Sequence, residues 1–180
     1  MVVLKNLYLE EIVDSWVDEN ESEEKTNERF KKLSEIVDPM YDFILTYSNY
    51  YSSRRDYGVG EKLTMLEVHY LTDIYDNPGI TVTEIAKIWN RSKSAISQTV
   101  RKLINWEYIC KKENTEDGKV YNLYITDIGK EIVMAHKRYD NVDIVKARKR
   151  LLRDFTVDEL VAFDEICKAY TALLRNKDDK

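Results

Sequence analysis

The sequence predicts a mainly α-helical protein carrying one small β-hairpin, and three observations predict it. Five Gly and two Pro in 180 residues leave few tight turns, so long helices joined by short loops account for most of the chain. Thr64/Glu67, Thr81/Glu84 and Thr156/Glu159 repeat a Thr-x-x-Glu spacing, each ahead of apolar residues at helical intervals. That spacing fits a capping box, in which the hydroxyl accepts an orphan N–H and the Glu reaches back to the cap. Only residues 108–125 change character: YICKK and VYNLYI are β-rich runs flanking the turn signal Asp117-Gly118.

In order along the chain, residues 3–17 predict a short helix, with Leu4, Leu7, Tyr8, Ile12 and Trp16 near helical spacing. DENESEE (18–24) is an acidic break. A long helix follows over 24–55, and Pro39 inside it predicts a kink or break near Asp38. The capping boxes place helices at 64–76, 82–89 and 157–175, with Asn77-Pro78-Gly79 as a stop between the first two. In the helix of 82–89, Ile85, Ala86, Ile88 and Trp89 form the apolar face. Asn90-Arg91 makes a turn. Ser92 then caps a second helix, whose buried stripe is Ile96, Val100, Leu103 and Ile104. After the hairpin a long helix spans 127–152, and the last residues, NKDDK, fray. One hairpin cannot support a sheet core, so it must dock on its neighbours. The expected organisation is an N-terminal extension (1–24), a helical dimerisation region (25–62 and 127–176) and a helix–turn–helix lobe with a β wing (63–126).

Hydrophobic content of 43% and charged content of 34% describe an ordinary soluble globular protein. No run approaches the ~18 apolar residues a membrane span needs. The N-terminus has acids where a signal peptide has its apolar stretch, so the expectation is a cytoplasmic protein with no membrane partner. Cys110 and Cys167 have no CxxC partner spacing, and each is expected as a small buried hydrophobe. Neither a phosphate-binding Gly loop, a nucleophile elbow nor HExxH is present, which argues against an enzyme. No cofactor is expected.

Charge is unevenly spread. The chain carries −5 overall, yet Ile80–Lys112 holds seven basic residues against two acidic ones. The window is therefore +5 and the remainder −10. On the second helix the outward residues are Lys93, Ser94, Ser97, Gln98, Arg101 and Lys102, polar and free of acids. Such a face suits a DNA major groove: Ser and Gln read base edges while Arg and Lys hold phosphates. Arg91 and Ser92 stand at the helix N-terminus, which itself attracts phosphate. Lys111 and Lys112 on the first wing strand and Lys119 at its tip extend the basic face toward a flanking minor groove. The competing reading is a winged-helix protein-interaction module without DNA binding, since a basic face is often only a solvated one.

These residues resemble the MarR family of bacterial transcription regulators over roughly residues 30–175. The resemblance is carried by LTMLEVHYL (63–71), GITVTEIAKIWNRSKSAISQTVRKLINWEYI (79–109), DGK (117–119) and LYITDIGKEI (123–132). Three departures stand out. Lys119 replaces the usual wing-tip Arg beside Asp117, Tyr108 stands where a glycine usually precedes the first wing strand, and the strand exit is Ile125-Thr126. The resemblance implies a homodimer with interleaved terminal helices. Its two lobes would bind a palindromic operator on double-stranded DNA with recognition helices ~34 Å apart. It also implies repression relieved by an effector. Two long amphipathic terminal helices with nothing else to bury against support dimerisation independently.

Seven of the thirteen tyrosines lie between Tyr41 and Tyr75. In similar proteins small aromatic effectors lodge between the dimer helices and the lobe, and Tyr50, Tyr51 and Tyr70 would line such a cleft. The competing reading makes them core and interface aromatics. The only histidines are His69 and His136, with Asp140 one turn after His136. His-x-x-x-Asp puts two ligands on one helix face, and a second helix would add His69. Zinc-sensing members of the family use histidines at what look like the same places, although Asp140 stands where another His would be expected. The reactive Cys of the redox-sensing branch has no counterpart near the first long helix.

Overall fold

The computed structural model describes residues 20–114 and 120–175. The expected helix over 3–17, the wing tip with Asp117 and Lys119, and the final NKDDK lie outside the described residues. The chain divides into two compact units, residues 1–55 with 64–66, and residues 56–63 with 67–180.

The first unit is built on α1 (Glu23–Ser52), a helix of 30 residues. It starts inside the acidic run, where the Ser22 hydroxyl accepts from the Lys25 N–H at 3.4 Å. Glu21 anchors that first turn by gripping Arg29 at 2.7 Å. The expected break does not occur: Pro39 lies within an unbroken helix. Proline removes one N–H and crowds the preceding turn, a penalty local to one turn. No residue of α1 is buried. The strand β1 (Arg54–Arg55) follows, and the Arg55 guanidinium lies 3.9 Å over the Tyr50 ring.

β2 (Leu63–Thr64) leads into α2 (Met65–Asp76), α3 (Val82–Ile88) and α4 (Lys93–Asn105). The hairpin is β3 (Ile109–Glu113) against β4 (Tyr121–Ile125), antiparallel, from Ile109↔Ile125 to Glu113↔Tyr121. α5 (Asp127–Leu151) and α6 (Val157–Arg175) complete the chain. Within the second unit, Leu63, Val68, Leu71, Ile74, Ile85, Ile96, Leu103, Leu123 and Ile132 are all but inaccessible to solvent. Each such side chain contributes about 1.5–3 kcal/mol by leaving water. The hairpin docks by backbone: Gly79 donates to Leu123 O at 2.9 Å, Leu123 donates to Ile80 O at 3.0 Å, and Thr81 bridges Asn122. The segment before α3 thus acts as a third strand and ties the wing to the helix pair.

α3 opens with the expected capping box between Thr81 and Glu84, and the Thr156–Glu159 hydrogen bonds repeat it ahead of α6. Glu67, expected only as a cap partner, is 7% exposed and takes the ammonium of Lys102. Three other expectations are corrected. Ile88, the last residue of α3, is 53% exposed and does not belong to the buried face. Cys110 and Cys167 are both exposed. Cys110 follows the buried Ile109 on β3 and so faces the other side of the hairpin, while α6 has no buried residue at all. The position that favours glycine is Glu107, whose φ is 59°, and not Tyr108. Tyr108 is instead buried, and its hydroxyl accepts from the Glu61 N–H at 2.5 Å. Glycine is needed at Gly129, where a Cβ would lie 2.1 Å from the Tyr108 carbonyl oxygen.

Candidate nucleic-acid interface

The turn between α3 and α4 is set by three local facts. Asn90 adopts φ 47°, a left-handed conformation that Asn tolerates better than most residues. The Arg91 N–H donates to Ala86 O at 3.0 Å. The Ser92 hydroxyl then accepts from the Ala95 N–H at 3.3 Å and bonds the Ser94 hydroxyl at 3.0 Å. α4 buries Ile96, Val100 and Leu103 and has no acid in its first turn. Helical spacing therefore turns Lys93, Ser94, Gln98 and Arg101 outward, and all four are exposed, with Arg91 and Ser92 beside them. Ser97 is half-buried.

Lys102 differs from its expected role. It is half-buried, its ammonium is bound to Glu67 and lies 4.5 Å over the Trp106 ring. Its charge is committed within the lobe and does not add to the outward face. On β3, Lys112 is exposed and its ammonium sits 4.8 Å over the Tyr124 ring, while Lys111 sits 4.4 Å over Tyr121. Cation–π packing of this kind holds both amines on the wing surface. Asp117 and Lys119 lie outside the described residues.

Tyr70 is 1% exposed, with its ring 5.4 Å from Trp89, and burial pushes its hydroxyl pKa up. It is a core residue, so the expectation that it lines an open cleft is corrected. Tyr50 and Tyr51 both pack against Tyr47 on α1, each with ring centroids 6.1 Å apart.

The histidines and Asp140 converge. One ligand atom from each of His69, His136 and Asp140 lies within 4.8 Å of the other two. His136 is 3% exposed and its Nε2 is 3.4 Å from Asp140 Oδ2. Burial lowers the His69 pKa, against the opposing pull of the Asp140 and Asp73 carboxylates. Two imidazoles and a carboxylate are a donor set that suits zinc and similar divalent ions. Ligand atoms sharing one such ion, each ~2 Å from it, lie at most about 4 Å apart, so the cluster fits a cation after a small closure.

Around this cluster is a group that sequence reasoning passed over. The Trp89 indole N–H donates to Asp73 Oδ2 at 2.6 Å. The His69 ring stands edge-on to Trp89 at 5.7 Å and lies 4.9 Å from His136. The available signal was Trp89 itself: an indole closing a short helix needs an acceptor for its N–H.

The sequence profile of the MarR family matches residues 63–121. An uncharacterized HTH-type transcriptional regulator of Bacillus subtilis (strain 168), YhjH, is 30% identical over 112 residues, 61% of this chain and 62% of its own length. The chain thus spans under two thirds of that relative. The transcriptional regulator AdcR of Streptococcus pyogenes is 25% identical over 109 residues, 61% of this chain and 73% of its own. Among solved structures, the adhesin competence repressor AdcR of S. pyogenes superposes with a TM-score of 0.57 at 21% identity, covering 79% of this chain and 97% of that one. FabT of Streptococcus pneumoniae, solved in complex with DNA, gives 0.58 at 17% identity, covering 82% and 98%. At these identities the superpositions speak to fold. The family profile falls on the helix pair and wing built up above, so residues 63–121 match the MarR family and form a winged helix–turn–helix lobe of that kind.

Proposed function

We propose that this protein is a DNA-binding transcriptional regulator. The observation that carries the reading is the outward face of α4: Lys93, Ser94, Gln98 and Arg101 exposed together on an acid-free helix, in a chain that is otherwise net acidic. Gln98 and Ser94 read base edges in the major groove, and Lys93, Arg91 and Arg101 hold the phosphates that flank them. Lys112 contacts the backbone from the wing, with Asp117 and Lys119 at its tip. The protein acts as a homodimer on a palindromic operator, represses, and lets go when an effector binds. Its localisation is the cytoplasm, where the DNA is.

The effector reading favoured by a specific observation is a divalent cation at His69, His136 and Asp140, since the three ligand atoms are already gathered within 4.8 Å. An aromatic effector against Tyr50 and Tyr51 is the weaker reading, because Tyr70 is taken up by the core.

The test is selection of duplexes from random sequence, followed by anisotropy titrations of the selected duplex at several salt concentrations. Sequence-dependent binding with a steep salt slope, softened in Arg101→Ala, supports the regulator. Failure to enrich any sequence, with no salt-dependent affinity, moves the reading to a protein-interaction module.

A further inference from the structure

We propose that Trp89 is a positioning residue that carries the occupancy of the His69–His136–Asp140 cluster to the start of the recognition helix α4. This rests on the reading that the cluster takes a divalent cation and that α4 meets DNA.

The geometry makes Trp89 a joint between the two places. Its indole is held at two points by one helix: the His69 ring edge-on at 5.7 Å, and Asp73, one turn further along α2, through the 2.6 Å hydrogen bond. Tyr70 closes a third side at 5.4 Å. Its backbone is the C-cap of α3. Only Asn90, Arg91 and the cap Ser92 separate it from the first turn of α4.

That connection has little slack. Asn90 is already in the left-handed region and the Arg91 N–H is tied to Ala86. A non-glycine residue held there by its surroundings is strained and moves only with its neighbours. For His69 to ligate together with His136 and Asp140, its ring must close on the other two donors, since atoms up to 4.8 Å apart cannot share one ion. The same His69 ring that must close on His136, 4.9 Å away, stands at 81° to the Trp89 ring at 5.7 Å. His69 and Trp89 are half-buried, but the buried His136 and Tyr70 rings back them, so a shift of His69 passes to Trp89. Trp89 then either tilts or gives up its bond to Asp73. Both change the angle at which α4 leaves the turn, and with it the register of Gln98 and Arg101 on DNA.

The plain alternative is that Trp89 merely fills the core with its N–H satisfied. The two readings part in Trp89→Phe, which keeps an aromatic ring and removes the bond to Asp73. Metal-stripped protein would be titrated with Zn2+ by calorimetry and by tryptophan emission. DNA affinity would be measured on the selected duplex with and without Zn2+, and thermal melts would check that the variant folds. In the wild type Zn2+ binds, changes tryptophan emission at the calorimetric midpoint, and shifts DNA affinity by about tenfold or more. In Trp89→Phe, Zn2+ affinity stays within about threefold, the emission change is lost, and the DNA shift falls below about twofold. A variant that keeps the full DNA shift overturns the relay and leaves the metal site standing. Wild-type protein that binds DNA but not Zn2+ overturns the metal site and the relay together. Should Trp89→Phe fail to fold, Asp73→Leu, which cuts the same bond from the other side, is read by Zn2+ affinity and the DNA shift with the same thresholds.

Discussion

Arg101 and Lys102 are adjacent, equally charged and were legible in the sequence as two members of one outward set. Structure separates them. Arg101 is exposed, and its Nε donates to Ser97 O at a long 3.4 Å. Lys102 reaches the buried carboxylate of Glu67 on α2, 35 residues away in sequence. No local pattern could show this, because the two lysine-like positions differ only in what a distant helix offers them. The separation has a measurable consequence. Lys102→Met strands a carboxylate that is 7% exposed. A broken buried pair costs several kcal/mol, discounted here to about 1–2 kcal/mol because the lysine end is partly solvated. Urea unfolding should register that loss while the salt slope of DNA binding stays unchanged. Arg101→Ala should do the reverse, with stability within about 0.5 kcal/mol of wild type and a shallower salt slope. Gln98→Ala belongs with the second group but through specificity: discrimination against a one-base mismatch should shrink by about 1–3 kcal/mol, with non-specific affinity retained. Unaltered sequence preference in that variant would remove Gln98 from the reading face.

Element boundaries were the most legible level where the signal is local. Thr81 and Glu84 fix the start of α3 at Val82, and Thr156 and Glu159 fix that of α6 at Val157, as the spacing predicts. Capping chemistry involves residues three apart, so one short window contains all of it. Of the kink or break expected at Pro39, the break does not occur, for the opposite reason: whether a helix survives a proline depends on the turns either side, here a helix running from Glu23 to Ser52. The cysteines were misread because apolar sequence neighbours do not guarantee a partner surface. The α3 cap carries a test in which pH has a definite sign. The Thr81 backbone N–H and then its hydroxyl hold the Glu84 carboxyl below the usual glutamate range. A depressed carboxylate adds stability above its unfolded pKa and loses it as pH falls through the folded one. Glu84→Gln should therefore flatten the stability–pH curve on the acid side of the usual glutamate value and leave it unchanged near neutrality in slope. Thr81→Ala should cost about 1 kcal/mol at neutral pH by chemical denaturation. Equal acid sensitivity of wild type and Glu84→Gln would show the cap contributing no pH dependence.

At the scale of the molecule, two long helices of the described residues leave apolar side chains to water. Phe30 is 69% exposed and Leu45 65% on α1, while Val161 is 54%, Ile166 55%, Leu173 61% and Leu174 60% exposed on α6. α1 and α6 contain no buried residue, although both carry apolar side chains at helical spacing. On each helix taken by itself, a run of large exposed apolar side chains is the kind of surface that marks an interaction site. This was partly legible: the amphipathic stripes are in the sequence, but only the fold shows that no residue of either helix is buried. A second copy is the partner that the resemblance to MarR regulators implies, and a symmetric dimer would present two α4 helices to two half-sites. Placing a charge at the centre of such an interface should prevent it from forming, because a carboxylate buried without a partner costs far more than one left in water. Ile166→Glu combined with Leu173→Glu falls two turns apart on α6, so both face the same way, and neither removes a buried residue from the lobe. In sedimentation experiments the wild type should run as a dimer and the double variant as a monomer. Thermal melting of the winged lobe need not suffer, but operator affinity should fall by a factor of about 10²–10⁴, the advantage that linking two half-site contacts confers. A double variant that stays dimeric and binds DNA normally would move the dimer contact off this face of α6. One that is monomeric yet binds the operator at full strength would mean that a single lobe suffices, and the palindrome would have to be abandoned.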